Sequence, residues 1–107
     1  MSAVPKPKHR KQRKRFAARR DPAYMAWIHT QPCILAGLHH CNGPIEGAHV
    51  RSRAAGGDDA NNLLSLCQRA HAIQHTVGSR SFASMYGIEL KVEAARLWRF
   101  YQEQEQA

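Results

Sequence analysis

The chain has 107 residues and a formal net charge of +8, with 16 Lys and Arg against eight Asp and Glu. This length fits one small domain, whose limited core is expected to need a metal ion or another cross-link. No apolar stretch is long enough for a secretory signal or a membrane span, so we expect neither and predict a cytoplasmic protein.

The positive charge is concentrated at the amino-terminal end. Residues 1–20 hold nine Lys and Arg and no acid, whereas residues 21–107 hold seven basic and eight acidic residues. A segment this charged, with few large apolar side chains, cannot bury enough surface to fold alone. We therefore predict a disordered basic arm over 1–20 and a single folded domain over 21–107.

The arm is expected to bind a polyanion and to lose affinity as salt rises. The arm residues assigned to this contact are Lys11, Arg13, Lys14, Arg15, Arg19 and Arg20. A solubilising extension or a localisation signal is the alternative interpretation. The arm lacks the interleaved large apolar residues of a membrane-binding segment, so no membrane partner is expected.

The folded part predicts four helices and two strands, an α+β fold. Asp21-Pro22 indicates an N-cap and a proline in the first turn of a helix through Tyr24, Trp27 and Ile28, which Pro32 must end. Leu90, Ala94, Leu97 and Tyr101 form the apolar face of the last helix. After the first helix we predict a loop over 33–44, a strand over 45–50, a polar turn over 51–61 and a second strand from 63 that ends at Cys67. A helix over 68–76 follows and is stopped by Gly78. The next helix runs through 82–86, is capped by Ser79 or Ser81 and is stopped by Gly87, and the last helix covers 91–104.

Four polar residues are spread over the two predicted strands, the turn between them and the helix that follows. His71 and His75 lie one helical turn apart, so both imidazoles can reach one cation, although pairs at this spacing also occur on solvated helix faces. A strand–turn–strand–helix of this size can bring His49, Asn62 and the pair into one cleft. There His49 would take a proton from water, and Asn62 would hold the His49 ring or its backbone.

Three cysteines add a second candidate site. In a reducing compartment Cys33, Cys41 and Cys67 are better candidates for zinc ligands than for a disulfide. Seven residues separate the first two, which is wider than the usual zinc knuckle. The available fourth ligands are His39, His40 and His71, and buried thiols without a metal are the alternative.

The segment from Cys33 to Gly78 resembles the HNH endonucleases, a family with the ββα-metal fold. The resemblance rests on EGAHVRS, GG, NL, LC and HxxxH in this order, and DPAYMAWIHTQPC resembles the lead-in of small phage-type members. It implies a small ββα-metal core with flanking helices and a metal-dependent endonuclease that cuts DNA with low sequence specificity.

Positions within the motif imply the roles of individual residues. His49 matches the general base and Asn62 the orienting asparagine, while His71 and His75 match the residues that hold one divalent ion, either Mg, Mn, Ni or Zn. Arg51 and Arg53 would hold the DNA backbone without reading sequence.

Two departures from the family pattern leave other functions open. Ala48 stands where relatives place an Asp or His ligand, so water, phosphate or an acid such as Glu46 or Asp58 would complete the metal shell. Ala70 stands where the second knuckle would supply Cys or His. A zinc-stapled nucleic-acid-binding module with weak or no catalysis is therefore the alternative function, and an accessory protein whose arm docks on an acidic partner is a third.

A narrower resemblance concerns a second protein partner. The basic arm, the cysteines and LCxxxHxxxH together are similar to the phage recombination-enhancement nucleases that act on DNA bound by RecA filaments. This similarity adds a recombination or packaging protein as a candidate partner beside DNA.

Overall fold

The computed structural model describes residues 18–106, an α+β arrangement of helices around one two-stranded antiparallel sheet. The elements are α1 (Pro22–Ile28), β1 (Ile45–His49), a 3₁₀ turn (Arg53–Ala55), β2 (Leu63–Cys67), α2 (Gln68–Val77), α3 (Ser79–Tyr86) and α4 (Leu90–Gln106). The predicted disordered state of the arm and the DNA contacts of Lys11, Arg13, Lys14 and Arg15 fall outside these residues.

The helix ends follow local chemistry. The Asp21 carboxylate accepts a hydrogen bond from the Tyr24 N–H, and Pro22 occupies the first turn of α1, so the predicted cap is confirmed. The helix ends at Ile28, ahead of Pro32. Gly78 separates α2 from α3 at φ +88°, a conformation that favours glycine. The predicted serine cap of α3 is wrong, because Gly78 holds the N-cap position and Ser79 is the first helical residue.

The hairpin register places β1 between two layers. Ile45 pairs with Cys67 and His49 with Leu63. A Cβ on Gly47 would collide with the Met25 sulfur, so α1 packs directly on this face of β1. Because side chains alternate along a strand, Glu46 and Ala48 point to the opposite face, toward α2.

Two apolar clusters hold these layers. One joins the sheet to α2, α3 and α4 through residues that include Ala48, Leu64, Ala70, Phe82 and Ala94. The other joins α1 to α4 through Tyr24, Ile28, Leu63 and Leu97, flanked by the partly buried Trp27, Trp98 and Tyr101. The predicted packing role of α4 is confirmed. Among the described residues, no helix has the length and apolar character needed to cross a membrane.

Candidate metal centre and active site

The first candidate site is a cluster of three thiols and one imidazole. One ligand atom from each of Cys33, His39, Cys41 and Cys67 lies within 4.8 Å of the others. The His39 Nε2 is 3.4 Å from the Cys41 Sγ and 3.5 Å from the Cys67 Sγ. A sulfur at about 2.3 Å and a nitrogen at about 2.0–2.1 Å from one tetrahedral zinc would lie about 3.5 Å apart. The four residues therefore fit a metal ion such as zinc.

A tight turn selects His39 as the fourth member. Gly37 at φ +89° reverses the chain, and the N–H groups of Leu38 and His39 both donate to the Leu35 carbonyl. The turn carries the His39 ring back toward Cys33, while the neighbouring His40 is exposed. The sequence left His39, His40 and His71 as alternatives, because the spacing alone does not define this turn.

Cys67 joins the cluster to α2. It ends β2, and its sulfur accepts a hydrogen bond from the Ala70 N–H at the start of the helix. Burial alone would raise the pKa of Cys67, but this bond and one from the Asn42 backbone lower it below its usual value. Partial removal from water and the neighbouring thiols Cys33 and Cys67 raise the pKa of Cys41 to about 11. A bound cation would reverse this preference for the protonated form, since thiolates are the metal-binding species.

The second candidate site is the histidine pair on α2. The Nε2 atoms of His71 and His75 are 3.1 Å apart, and the His71 Nδ1 lies 2.8 Å from the Glu46 carboxylate. Two nitrogens at about 2.0–2.1 Å from one ion, at angles between square and tetrahedral, lie about 2.8–3.4 Å apart. The pair therefore fits a shared cation, and Glu46 contacts the ring nitrogen that faces away from it.

His49 occupies a different pocket, at the end of β1. Its Nε2 lies 2.7 Å from the Asp59 Oδ1, and the side chains of His49 and Asp59 are 16% and 3% exposed. Burial alone would raise the pKa of Asp59, but a hydrogen bond from the Asp21 N–H and the nearby His49 and Arg53 lower it. Asp59 is therefore a carboxylate at neutral pH. Sequence reasoning missed it, since an aspartate after Gly-Gly is expected to be a solvated turn residue.

Asn62 holds the loop that follows His49. Its side chain accepts from the Arg51 N–H and donates to the carbonyls of Arg51 and Asp58. A Cβ on Gly57 would collide with the same Arg51 carbonyl, so Gly57 allows the two parts of this loop to pack directly on each other. Asn62 acts on the backbone two residues beyond His49, and the ring is held by Asp59.

The two histidine sites meet through Gln74. The Gln74 side chain donates to the His49 carbonyl at 3.2 Å and to the Ser79 hydroxyl at 3.1 Å. Gln74 lies between His71 and His75 on α2, so this bond fixes the end of β1 against the middle of the helix. Gln74 thus connects the backbone of His49 to the helix that carries the histidine pair.

The predicted DNA-contacting arginines within the described residues belong to two segments that meet at Asp58 and Asp59. Arg51 and Arg53 lie in the loop after β1, and both are exposed. The Arg53 guanidinium is 3.7 Å from the Asp59 carboxylate. The Arg19 N–H donates to the Asp58 carboxylate, which places Asp58 at the entry of the arm and not at the histidine pair. Arg20 is exposed beside it.

Comparisons with family models, curated proteins and solved structures gave no match to this chain.

Proposed function

We propose that the chain is a metal-dependent HNH-type endonuclease that hydrolyses DNA phosphodiester bonds with low sequence specificity. The arrangement that carries the proposal is the unit β1–β2–α2. It presents a carboxylate-held histidine at the end of the first strand and a carboxylate-held histidine pair on the helix. The order of these residues along the chain matches the HNH motif, and the strand–strand–helix order is that of a ββα-metal core.

Each side chain then has a defined task. His49 accepts a proton from the water that attacks phosphorus, and Asn62 keeps the loop behind it in place. His71 and His75 hold one divalent ion, with Glu46 fixing the His71 ring from its far side. Such an ion supplies charge neutralisation at the phosphate and stabilises the departing 3′ oxygen. Arg51 and the basic arm hold the DNA backbone, which carries no sequence information.

The Cys33/His39/Cys41/Cys67 cluster has a structural role in this proposal. A closed set of four protein ligands leaves no position for water or substrate, which is typical of structural zinc. Zinc there would join the 33–44 loop to the start of α2, so it would stabilise the helix that carries the histidine pair.

Plasmid nicking tests the proposal. Supercoiled DNA is incubated with the full chain and Mg²⁺, Mn²⁺, Ni²⁺ or Zn²⁺ in turn, and nicked circles are measured over time. We expect nicking by the wild type, a loss of about 10²-fold or more in His49→Ala and in His71→Ala, and full activity in the matched control His40→Ala. DNA binding without cleavage under every ion would overturn the enzyme proposal.

A zinc-stapled nucleic-acid-binding module is the second candidate function, and Ala48 favours it. Relatives carry a metal ligand at this position, whereas Ala48 is fully buried in the apolar cluster beside α2. Only two histidines then remain to hold the catalytic ion. This alternative predicts equal DNA affinity for the wild type and His49→Ala, with no nicking by either chain.

A further inference from the structure

The Asp59 carboxylate is surrounded by hydrogen-bond donors from three parts of the chain. Its Oδ1 lies 2.7 Å from the His49 Nε2 and 3.7 Å from the Arg53 guanidinium. Its Oδ2 accepts the Asp21 N–H at 2.8 Å. The residue as a whole is 2% exposed, so these donors replace water around an ionised group. Such a carboxylate accepts hydrogen bonds and cannot donate one.

This environment determines which nitrogen of His49 carries the proton. A 2.7 Å contact with a carboxylate requires a hydrogen on the His49 Nε2. A neutral imidazole has one N–H only, so the lone pair is left on Nδ1. We propose that Asp59 is a positioning residue that fixes His49 as the Nε2–H tautomer, leaving Nδ1 as the proton acceptor for the attacking water. The catalytic half of this inference rests on the proposed nuclease function, whereas the tautomer stands by itself.

The same carboxylate is anchored by the entry of the basic arm. The Asp59 N–H donates to the Arg19 carbonyl at 3.0 Å, and the Asp21 N–H donates back to the Asp59 side chain. Beside them, the Arg19 N–H donates to Asp58 at 2.8 Å. Residues 19–21 therefore fix the position of Asp59, which in turn contacts His49. The arm enters the domain directly next to the candidate base.

Replacing Asp59 with asparagine separates tautomer control from simple tethering. The new amide has one oxygen for two donors, and the Asp21 backbone N–H cannot change its character. The amide oxygen would stay on that N–H, and the amide NH₂ group would face the His49 Nε2. His49 can accept from this donor only by moving its own proton to Nδ1, the atom that should take the proton from water.

Long-range ¹H–¹⁵N correlation spectra test the tautomer directly. The full chain is labelled with ¹⁵N and measured with its metal bound, at a pH where the histidines are neutral, and the His49 signals are assigned by their loss in His49→Ala. We expect Nε2–H in the wild type and in Asp58→Asn, and Nδ1–H in Asp59→Asn. A wild-type His49 protonated on Nδ1 overturns the inference, whatever the Asp59→Asn spectrum shows.

Steady-state nicking tests the catalytic consequence. We expect kcat to fall by roughly 10²–10⁴-fold in Asp59→Asn with KM for DNA changed little. Asp58→Asn removes the same charge one residue away, where the new amide oxygen can still accept the Arg19 N–H, and should keep kcat within about twofold of the wild type. An Asp59→Asn enzyme with wild-type kcat overturns the positioning role. If the wild type itself does not cut DNA, the proposed function fails, and the spectra still decide the tautomer.

Discussion

Glu46 contacts the Nδ1 of His71, the ring nitrogen on the side away from His75. The Nδ1–H of His71 donates to Glu46 over 2.8 Å, so its Nε2 lone pair faces the His75 Nε2, 3.1 Å away. Carboxylates placed in this way fix the tautomer and the ring orientation of a metal-binding histidine and raise its basicity. From the sequence, Glu46 was a candidate ligand of the ion. Its contact makes it the support of a ligand.

Glu46→Ala should therefore weaken metal binding at the histidine pair without removing it. We expect Mn²⁺ or Ni²⁺ affinity to fall by about 10–100-fold, the usual effect of removing such a support. Calorimetric titration of the zinc-loaded chain measures this affinity, and the exposed Glu89→Ala is the matched control. An unchanged affinity would show that Glu46 and His71 are neighbours without a functional link.

Asp59 also makes the protein sensitive to acid. Because its pKa in the folded state lies below the ordinary value of 3.8, its carboxylate stabilises the fold above that pH, and the contribution is lost as pH falls through the lower folded pKa. The stability difference between the wild type and Asp59→Asn should be complete above about pH 5 and should shrink below about pH 4. Urea unfolding at several pH values gives this difference. A constant gap would contradict the assignment, since the remaining acids are common to both chains.

At the level of elements, the sequence predicted the regular parts and missed the loop conformations. The hairpin and α2 have the predicted order, and their ends differ from the prediction by about one residue, because hydrophobic spacing and Gly78 define them. The 3₁₀ turn over Arg53–Ala55 and the Gly37 turn were not foreseen. Their shapes depend on Gly57 packing against the Arg51 carbonyl and on hydrogen bonds to Leu35, which no periodic pattern records.

The same limit explains the candidate sites. His71 and His75 were predictable because they share one helix face. Asp59 and His39 act from irregular segments, so only their exposure and contacts distinguish them from their neighbours Asp58 and His40. Local spacing thus identified the histidine pair. Asp59, which contacts His49, and His39, the fourth member of the cysteine cluster, could be recognised only from the folded structure.

The zinc content of the purified protein tests whether the cysteine cluster binds a metal ion. Purified wild-type protein should carry about one zinc per chain, and so should His40→Ala, whereas His39→Ala should lose most of it because a nitrogen ligand is missing. Metal analysis by mass spectrometry after dialysis makes the measurement. Equal zinc in all three chains would exclude His39 as a ligand, and zinc in none would favour metal-free thiols.

On the scale of the whole molecule, the positive charge lies in the arm and not in the body. Residues 1–17 contain seven Lys and Arg, and residues 21–107 have a net charge of −1, from seven basic and eight acidic residues. The structure fixes the arm at residues 19–21, beside the His49 pocket. Electrostatic attraction therefore acts close to the candidate site of cleavage.

Deleting residues 1–17 should lower DNA affinity and flatten its dependence on salt. If every lost charge contacts a phosphate, the slope of log K against log salt should fall in magnitude by up to about 6. Fluorescence anisotropy with a labelled duplex at several salt concentrations gives the slope. An unchanged slope would mean that the arm has another task.

A longer deletion, of residues 1–20, tests the junction. It should also reduce kcat at saturating DNA, because it removes the Arg19 carbonyl that accepts the Asp59 N–H. The 1–17 deletion should leave kcat within about twofold of the wild type, since that carbonyl remains. Equal kcat values for the two truncated chains would show that the contacts of Arg19 do not affect catalysis.

Cys67 ends a strand, caps α2 through the Ala70 N–H and belongs to the cysteine cluster. If the proposed function is correct, the supply of zinc determines whether the chain only binds DNA or also cleaves it. A zinc-starved chain keeps its basic arm and still captures DNA, yet the helix that presents His71 and His75 has lost the support at its first turn. Such molecules would occupy DNA and leave it intact. Zinc loading would convert a population of binders into cutters at constant protein level.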